Sequence, residues 1–358
     1  LYLLGDHHRL SALKDEAISI SSLDQLPHLL ADLGDAAVMI EPASLPHSLF
    51  SMISASTVQV VKDACPVTRM KAHKTGAELD GFRAAHQRDG VAMVEFLCWL
   101  QQNMKSGLGE CKIAEQLLVF RQQQDGFIAP SFATIAGSGP NGAIVHYRAI
   151  DGADRCLKRN DLLLLDSGAH YKDGTTDITR TIAIGDPPEG AAAAFTRVLK
   201  AHINLALAVF PKGTTGQQLD VLARAPLWAA KMDFEHGTGH GVGHVLSVHE
   251  GPVSISKRGD VPLDAGMVLS NEPGYYKAGA WGIRIENLVL VKVLSDQDFL
   301  ALETLTMCPI DRQLILKDLL DQREINWVNA YHQLVKETLY HGCSNAAKAW
   351  LEAATAPI

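Results

Sequence analysis

The sequence predicts an α+β protein in two parts, and three observations carry that prediction. Its 358 residues are long for one compact core. Up to about Ala72, short apolar runs alternate with helical stretches, as in part of a small α/β domain. Beyond Ser131 the texture changes to strands separated by Gly-rich turns, with helices between them. A boundary near residue 72 leaves a partial α/β domain over 1–72 and a larger domain over 73–358.

Within the first part, 36–40 and 57–61 read as buried strands, and 23–33 and 45–53 as helices. Thr75-Gly76-Ala77-Glu78 has the form of a capping box. It opens a helix in which Phe82, Ala85, Met93, Phe96 and Leu100 recur at helical spacing, despite the unfavourable Gly81 and Gly90. A second helix covers 112–123. The apolar run Leu162-Leu163-Leu164-Leu165 is expected to be a strand covered on both faces. Helices are expected over 189–210 and 217–231, strands over 267–270 and 283–293, and helices again over 314–339 and 345–353. No repeat of solenoid length and no low-complexity tract interrupts this order.

Composition narrows the function classes. A hydrophobic fraction of 47% beside 20% charged residues describes a globular protein rather than a disordered one. The net charge of −8, without a dense Lys/Arg run, argues against a nucleic-acid surface. No segment reads as a membrane span: the apolar run 91–100 is short and carries Glu95. The opening Leu1-Tyr2-Leu3-Leu4-Gly5-Asp6 has neither the basic start nor the apolar length of a signal peptide, and it lacks an initiating Met, so a trimmed piece of a longer chain is expected. Cys65, Cys98, Cys111, Cys156, Cys308 and Cys343 are scattered with no C-x-x-C pair, which favours free thiols in a reducing, cytoplasmic setting.

Five residues that can bind metal, Asp166, Asp177, His240, Glu272 and Glu286, lie in strands or at strand edges. Four carboxylates and an imidazole are unfavourable to bury together unless one or more cations hold them. Oxygen-rich ligation suits hard or borderline ions such as manganese better than a thiolate-type zinc site. It also suits paired ions that activate one water.

Each residue alone has a plainer reading. Asp166, before Ser167-Gly168, is a possible turn-former and Asp177 a strand-edge charge; a strand–turn–strand hairpin would bring them face to face. In His236-Gly237-Thr238-Gly239-His240-Gly241-Val242-Gly243-His244 the four-residue spacing suggests a zincin helix, yet the alternating glycines oppose any helix. They instead allow close backbone approach, leaving one or two histidines as ligands and His244 as a bystander. His249 alone reads as a satisfied core residue. Arg284 and Glu286 share one face of a strand and otherwise read as a surface charge pair. Gly137-Ser138-Gly139-Pro140-Asn141-Gly142 fits the dinucleotide pattern, but the following 143–147 reads as a strand, so a hairpin turn that positions His146 is expected.

Taken together, His146-Tyr147, Leu165-Asp166-Ser167-Gly168, Thr176-Asp177-Ile178-Thr179-Arg180, the His236–Gly243 segment, Val248-His249-Glu250-Gly251-Pro252, Asn271-Glu272-Pro273-Gly274-Tyr275-Tyr276 and Gly282-Ile283-Arg284-Ile285-Glu286-Asn287 resemble the Xaa-Pro aminopeptidases of the pita-bread (creatinase/aminopeptidase) metallopeptidases. The resemblance covers about 74–354. It implies a pita-bread catalytic domain with its site on a curved antiparallel sheet, after a partial creatinase-like α/β domain. It also implies two divalent ions, manganese ahead of zinc or cobalt, with Asp177 and Glu286 bridging them, Asp166 completing one and His240 with Glu272 the other. His146, His236 and His249 match the family's active-site histidines and Arg284 an orienting residue. The implied activity removes the N-terminal residue before proline, with Glu272 as proton carrier, His146 and His249 as hydrogen-bond donors and His236 shaping the proline pocket. A homodimer is implied too. Trp327-Val328-Asn329-Ala330-Tyr331-His332 resembles the tail of the long, three-domain members, whose first domain is not in this sequence. The alternatives are a Xaa-Pro dipeptidase (prolidase), a methionine aminopeptidase, which the His240 segment and tail fit less well, and a peptide-binding relative without catalysis.

Overall fold

The computed structural model describes residues 2–6, 10, 17–104, 107–294 and 298–358. The chain divides into two compact units, Leu1–Arg69 and Met70–Ile358.

In the first unit, β1 (Tyr2–Leu4) pairs in parallel with β2 (Ser19–Ser21). After α1 (Leu26–Asp32), β3 (Ala37–Ile40) and β4 (Gln59–Lys62) form a second parallel pair, joined through α2 (His47–Ser54). The two strands expected here are present but not buried on both faces. Ile40, Val38 and Val60 pack with Leu30 and Ile53, whereas Met39 and Val61 are exposed, because a sheet covered from one side buries only alternate residues. Helix α3 (Pro66–Ala72) carries the chain across the division.

The second unit opens on α4 (Gly76–Asn103), whose capping box is made as expected: Glu78 N–H donates to Thr75 Oγ1 at 3.3 Å and Thr75 N–H to the Glu78 carboxylate at 2.8 Å. Gly90 inside this helix is explained by packing, since a Cβ there would sit 2.4 Å from the Met307 carbonyl oxygen. Helix α5 (Glu110–Gln122) follows.

Two antiparallel sheets form the body of this unit. In the first, β7 (Asp161–Ser167) lies between β6 (Ile135–Ser138) and β10 (Ile178–Ile184), and β7 is almost wholly buried. A smaller sheet of β5 (Phe127–Pro130), β8 (Ala169–Tyr171) and β9 (Gly174–Thr175) fills the turn between β7 and β10. Helix α6 (Ala191–Ala206), β11 (Val209–Pro211) and α7 (Gly216–Trp228) lead to the second half. There β12 (Gly239–His240) pairs with β13 (Ser254–Ile255), and β15 (Gly274–Lys277) forms a hairpin with β16 (Trp281–Arg284). The second sheet has the order β11, β18 (Phe299–Thr304), β17 (Asn287–Val293), β14 (Val268–Asn271). Helices α8 (Gln322–Leu339) and α9 (Asn345–Ala354) close the chain. The largest core cluster joins α6, α7, α8 and the second sheet through Phe195, Leu199, Leu227, Val289 and Val335.

The two main sheets are stitched at one place. Glu286 N–H donates to the Thr179 carbonyl at 3.1 Å, and Thr181 Oγ1 donates to the Arg284 carbonyl at 3.0 Å while accepting from the Arg284 N–H at 3.1 Å. Strand β10 thus meets the β16–β17 segment.

Several boundaries correct the sequence expectations. The helix expected over 189–210 ends at Ala206, and Val209–Pro211 instead joins the second sheet against β18. The strand expected over 283–293 breaks between Arg284 and Asn287, where the chain passes from one hairpin to another sheet. The helix expected from residue 314 starts only at Gln322, where Asp321 and Glu324 form a capping box; short 3₁₀ turns precede it. The strand expected over 143–147 is absent. Gly139–Ala143 is a 3₁₀ turn followed by irregular chain, because its polar groups are drawn to a buried carboxylate, Glu110.

Candidate metal centre

The acidic ligand candidates collect where strand ladders end. In the first sheet Thr179 pairs with Asp166 and Ile178 with Ser167, so Asp177 stands one residue beyond the last pair. In the second sheet the ladder ends at Asn271 opposite Asn287, and Glu272 and Glu286 are the next residues outward on the two strands. Each sheet contributes two carboxylates, and the stitch between β10 and the Arg284–Glu286 segment sets them against each other. His240 arrives on β12. A Cβ at Gly239 would lie 1.9 Å from the Ser270 carbonyl oxygen, so only glycine lets this strand lie against β14.

Three sets of side-chain donor atoms fall within 4.8 Å of one another: Asp166, Asp177 and Glu286; His240, Glu272 and Glu286; and Asp177, His240 and His249. His240 Nε2 lies 3.5 Å from Asp177 and 3.4 Å from Glu272. Its Nδ1 is 3.0 Å from the Gly241 carbonyl, which assigns a proton to Nδ1 and turns Nε2 toward the acids. Glu286 accepts from Thr179 Oγ1 at 2.7 Å, and Thr179 Oγ1 in turn accepts from Arg284 Nε at 3.2 Å. Glu272 accepts from Ser270 Oγ at 3.1 Å.

Arg284 is fully buried. It donates to Asp166 at 2.5 Å and, through Nη1, to the Tyr276 hydroxyl at 2.7 Å. That hydroxyl lies 2.7 Å from His236 Nε2, while His236 Nδ1 is 2.8 Å from the Gly237 carbonyl. His236 is therefore a neutral ring that accepts from Tyr276; its pKa is lowered to about 4 by burial and then by the Arg284 charge. His249 is exposed rather than a core residue, with its ring centroid 4.0 Å from that of His240. Desolvation on its covered side, with the nearby His240, lowers it to about 4. His244 lies outside this group: its Nε2 is 3.0 Å from the Asp173 carbonyl and its ring meets Phe82 edge-on.

Without a cation the acids crowd one another. Burial, with the neighbouring carboxylates Asp177 and Asp166, raises Glu272 to about 7. Burial, with Asp166, raises Asp177 to about 6, and burial with repulsion by Asp177 pushes Glu286 well above its ordinary value. Burial alone would lower His240, but Asp177 and Glu272 overcome it and lift the imidazole to about 9. Asp166 Oδ1 is buried with no hydrogen-bond partner. An orphaned carboxylate oxygen and a set of acids that hold protons in place of a charge partner fit a pair of divalent cations.

Asp166, Asp177, His240, Glu272, Glu286, His146, His236, His249 and Arg284 all line one cavity of about 630 Å³. A separate cavity of about 430 Å³, between α4, β10 and α9, contains none of them. Two participants were not singled out from sequence. Thr179 carries a usable signal, since 179 and 181 share one face of β10 and Asp177 precedes them at the same two-residue spacing. Tyr276 becomes visible only once β15 is known to pair with β16, which sets it opposite Gly282 and near Arg284.

An antiparallel α+β unit with a caged acidic centre defines a metal-dependent hydrolase class. Residues 80–293 match the metallopeptidase family M24, and 298–358 match the C-terminal region of peptidase M24. The chain belongs to the M24 family of metallopeptidases. A protein of Aspergillus flavus named as a probable Xaa-Pro aminopeptidase P is 45% identical over 314 residues, which are 84% of this chain and 48% of that protein. The chain thus spans about half the length of such relatives. The X-prolyl aminopeptidase of Caenorhabditis elegans, described as a cytosolic enzyme with a di-nuclear active site, superposes with a TM-score of 0.90 at 37% identity, covering 99% of this chain and 60% of that one. The X-Pro aminopeptidase of Thermotoga maritima gives 0.72 at 30%, covering 86% and 84%. The fold is the pita-bread fold of this family. No helix among the described residues is long and apolar enough to cross a membrane.

Proposed function

We propose that this chain carries the catalytic centre of a dinuclear metal-dependent aminopeptidase that releases the N-terminal residue from peptides with proline in second position. The observation that carries the reading is the convergence of four carboxylates and His240 on one cavity, in a chain 45% identical to proteins named for that activity. When bound, two divalent ions, manganese ahead of zinc or cobalt, activate water as a nucleophile and polarise the scissile carbonyl.

The chain's own residues do the rest. Asp177 and Glu286, which stand together with Asp166 in one donor set and separately in two others, would hold both ions. Asp166 would add to the hold on one ion, and His240 with Glu272 to the hold on the other. Glu272 takes the proton of the attacking water and returns it to the leaving nitrogen. His146 and His249, both exposed to the cavity, donate hydrogen bonds to the developing oxyanion or the leaving imide nitrogen. His236, held by Tyr276, shapes the proline pocket. Arg284 orients Asp166.

A cytoplasmic setting is supported by six free cysteines, and the homodimer implied by the resemblance is proposed with it. The test is cleavage of a Xaa-Pro-Pro tripeptide, a Xaa-Pro dipeptide and a Xaa-Ala-Pro control by the manganese-loaded chain. Release of the first residue from the Xaa-Pro-Pro peptide alone is expected. A folded, metal-loaded chain that cleaves none of them would end the reading, and preference for the dipeptide would make it a dipeptidase.

A further inference from the structure

His146 poses a positioning problem. Its ring is exposed, and no side-chain hydrogen bond among the described residues tethers it. Its place is therefore set by the backbone of the long connection between β6 and β7, which is irregular beyond Ala143. A donor to a transition state must be held within a fraction of an ångström to be useful.

One side chain gathers that connection. Glu110, the first residue of α5, is fully buried. Its Oε1 accepts from Ser138 N–H at 2.7 Å, Ser138 Oγ at 2.9 Å and Asn141 Nδ2 at 3.0 Å. Its Oε2 accepts from the Tyr147 hydroxyl at 2.7 Å and Arg155 N–H at 3.0 Å, with Asn141 Nδ2 at 3.1 Å. Asn141 Nδ2 also lies 2.9 Å from the Tyr147 hydroxyl. These contacts fasten the connection where it leaves β6, at the residue directly after His146, and again before it enters β7. Hydrogen bonds to a buried carboxylate are the strong, directional kind.

We propose that Glu110 is a positioning residue for catalysis, acting through Tyr147 and the 138–155 connection to hold His146 at the cavity. The inference rests on the proposed aminopeptidase reading for its kinetic arm only.

The experiment is a double-mutant cycle on the manganese-loaded chain. His146→Ala should lower kcat by about 10²-fold, as for loss of one oxyanion donor. Glu110→Gln should lower it by about 10-fold or more, with manganese affinity unchanged, since a slack positioning contact weakens only the donor it serves. In the His146→Ala background, Glu110→Gln should add less than about two-fold. Tyr147→Phe removes one of the contacts and should follow the same non-additive pattern if Glu110→Gln does not fold. Hydrogen exchange supplies a readout free of activity: amides of 141–155 should exchange faster in either variant while those of β7 and β10 stay protected. Multiplying effects of the two variants, or unchanged exchange in the 141–155 connection, overturns the proposal. A wild-type chain that cleaves no Xaa-Pro peptide overturns the aminopeptidase reading instead, and the exchange experiment then decides the role of Glu110 alone.

Discussion

Arg284 and Asp166 are ion-paired at 2.5 Å in the interior, each from a different hairpin, and the same guanidinium reaches Tyr276 and Thr179. A planar fork serves three acceptors at fixed angles, which a lysine ammonium on a flexible stem cannot reproduce. Arg284→Lys should weaken manganese binding by about 10- to 100-fold and lower kcat similarly, because Asp166, and Glu286 behind Thr179, lose their orientation. Titration calorimetry checks the first effect and peptide cleavage the second; wild-type affinity in the variant would reduce the pair to a structural contact.

Glu272→Gln separates proton transfer from folding. Glu272 is held by Ser270 and lies at the outer end of the β14–β17 ladder, so the amide fits the same space. A fall in kcat of about 10²- to 10⁴-fold is expected, with the melting temperature close to wild type. Retained turnover would hand the proton to another group.

The raised pKa values fix a direction for pH. In the metal-free protein Asp177, Glu272, Glu286 and His240 each keep a proton, over its own pH range, that the unfolded chain has released. Their stabilising contribution is complete below about pH 4 and is lost as pH rises through about 6, 7 and 9. Chelated protein should therefore lose melting temperature from this centre between pH 5 and 9, with manganese restoring more at the alkaline end. Manganese binding at pH 6 should release about two protons or more, measured by calorimetry in buffers of different ionisation enthalpy. Binding without proton release would contradict the raised values.

His202 acts in the opposite sense. It is fully buried between the two asparagines that end the ladder, with Nδ1 donating to the Asn271 carbonyl at 3.1 Å and Nε2 accepting from Asn287 Nδ2 at 3.1 Å. Burial, then the Arg180 charge, lowers its pKa to about 3. Its contribution is present above about pH 6.5 and is lost as pH falls toward 3. His202→Gln should flatten that acid limb of stability, at a loss of about 1–3 kcal/mol near neutrality from broken buried hydrogen bonds. An unchanged acid limb would assign the sensitivity elsewhere.

The sequence displayed much of this centre because chemistry outweighs local conformation there. Four carboxylates and a histidine flanked by glycines need a cation wherever they are buried, and their strand-edge positions can be read from the apolar runs before Asp166 and Glu272. The end of the helix at Ala206 and the break between β16 and β17 were hidden, because a short strand's partner, β18 in the case of Val209–Pro211, lies far away in sequence. Residues 143–147 looked like a strand by composition, but a buried Glu110 some thirty residues earlier dictates their path, and no local pattern announces that. Thr179 and Tyr276 similarly depend on which hairpins face each other.

The division of the acids between two sheets has a consequence for how the protein matures. Neither hairpin alone offers more than half a cage, so an incompletely folded chain has little with which to capture a divalent cation. Ion uptake would then come late and lock a finished structure, adding about 2.7 kcal/mol when free ion exceeds its dissociation constant a hundredfold. Scarcity of metal in a cell would thus shorten the protein's lifetime as well as silence it.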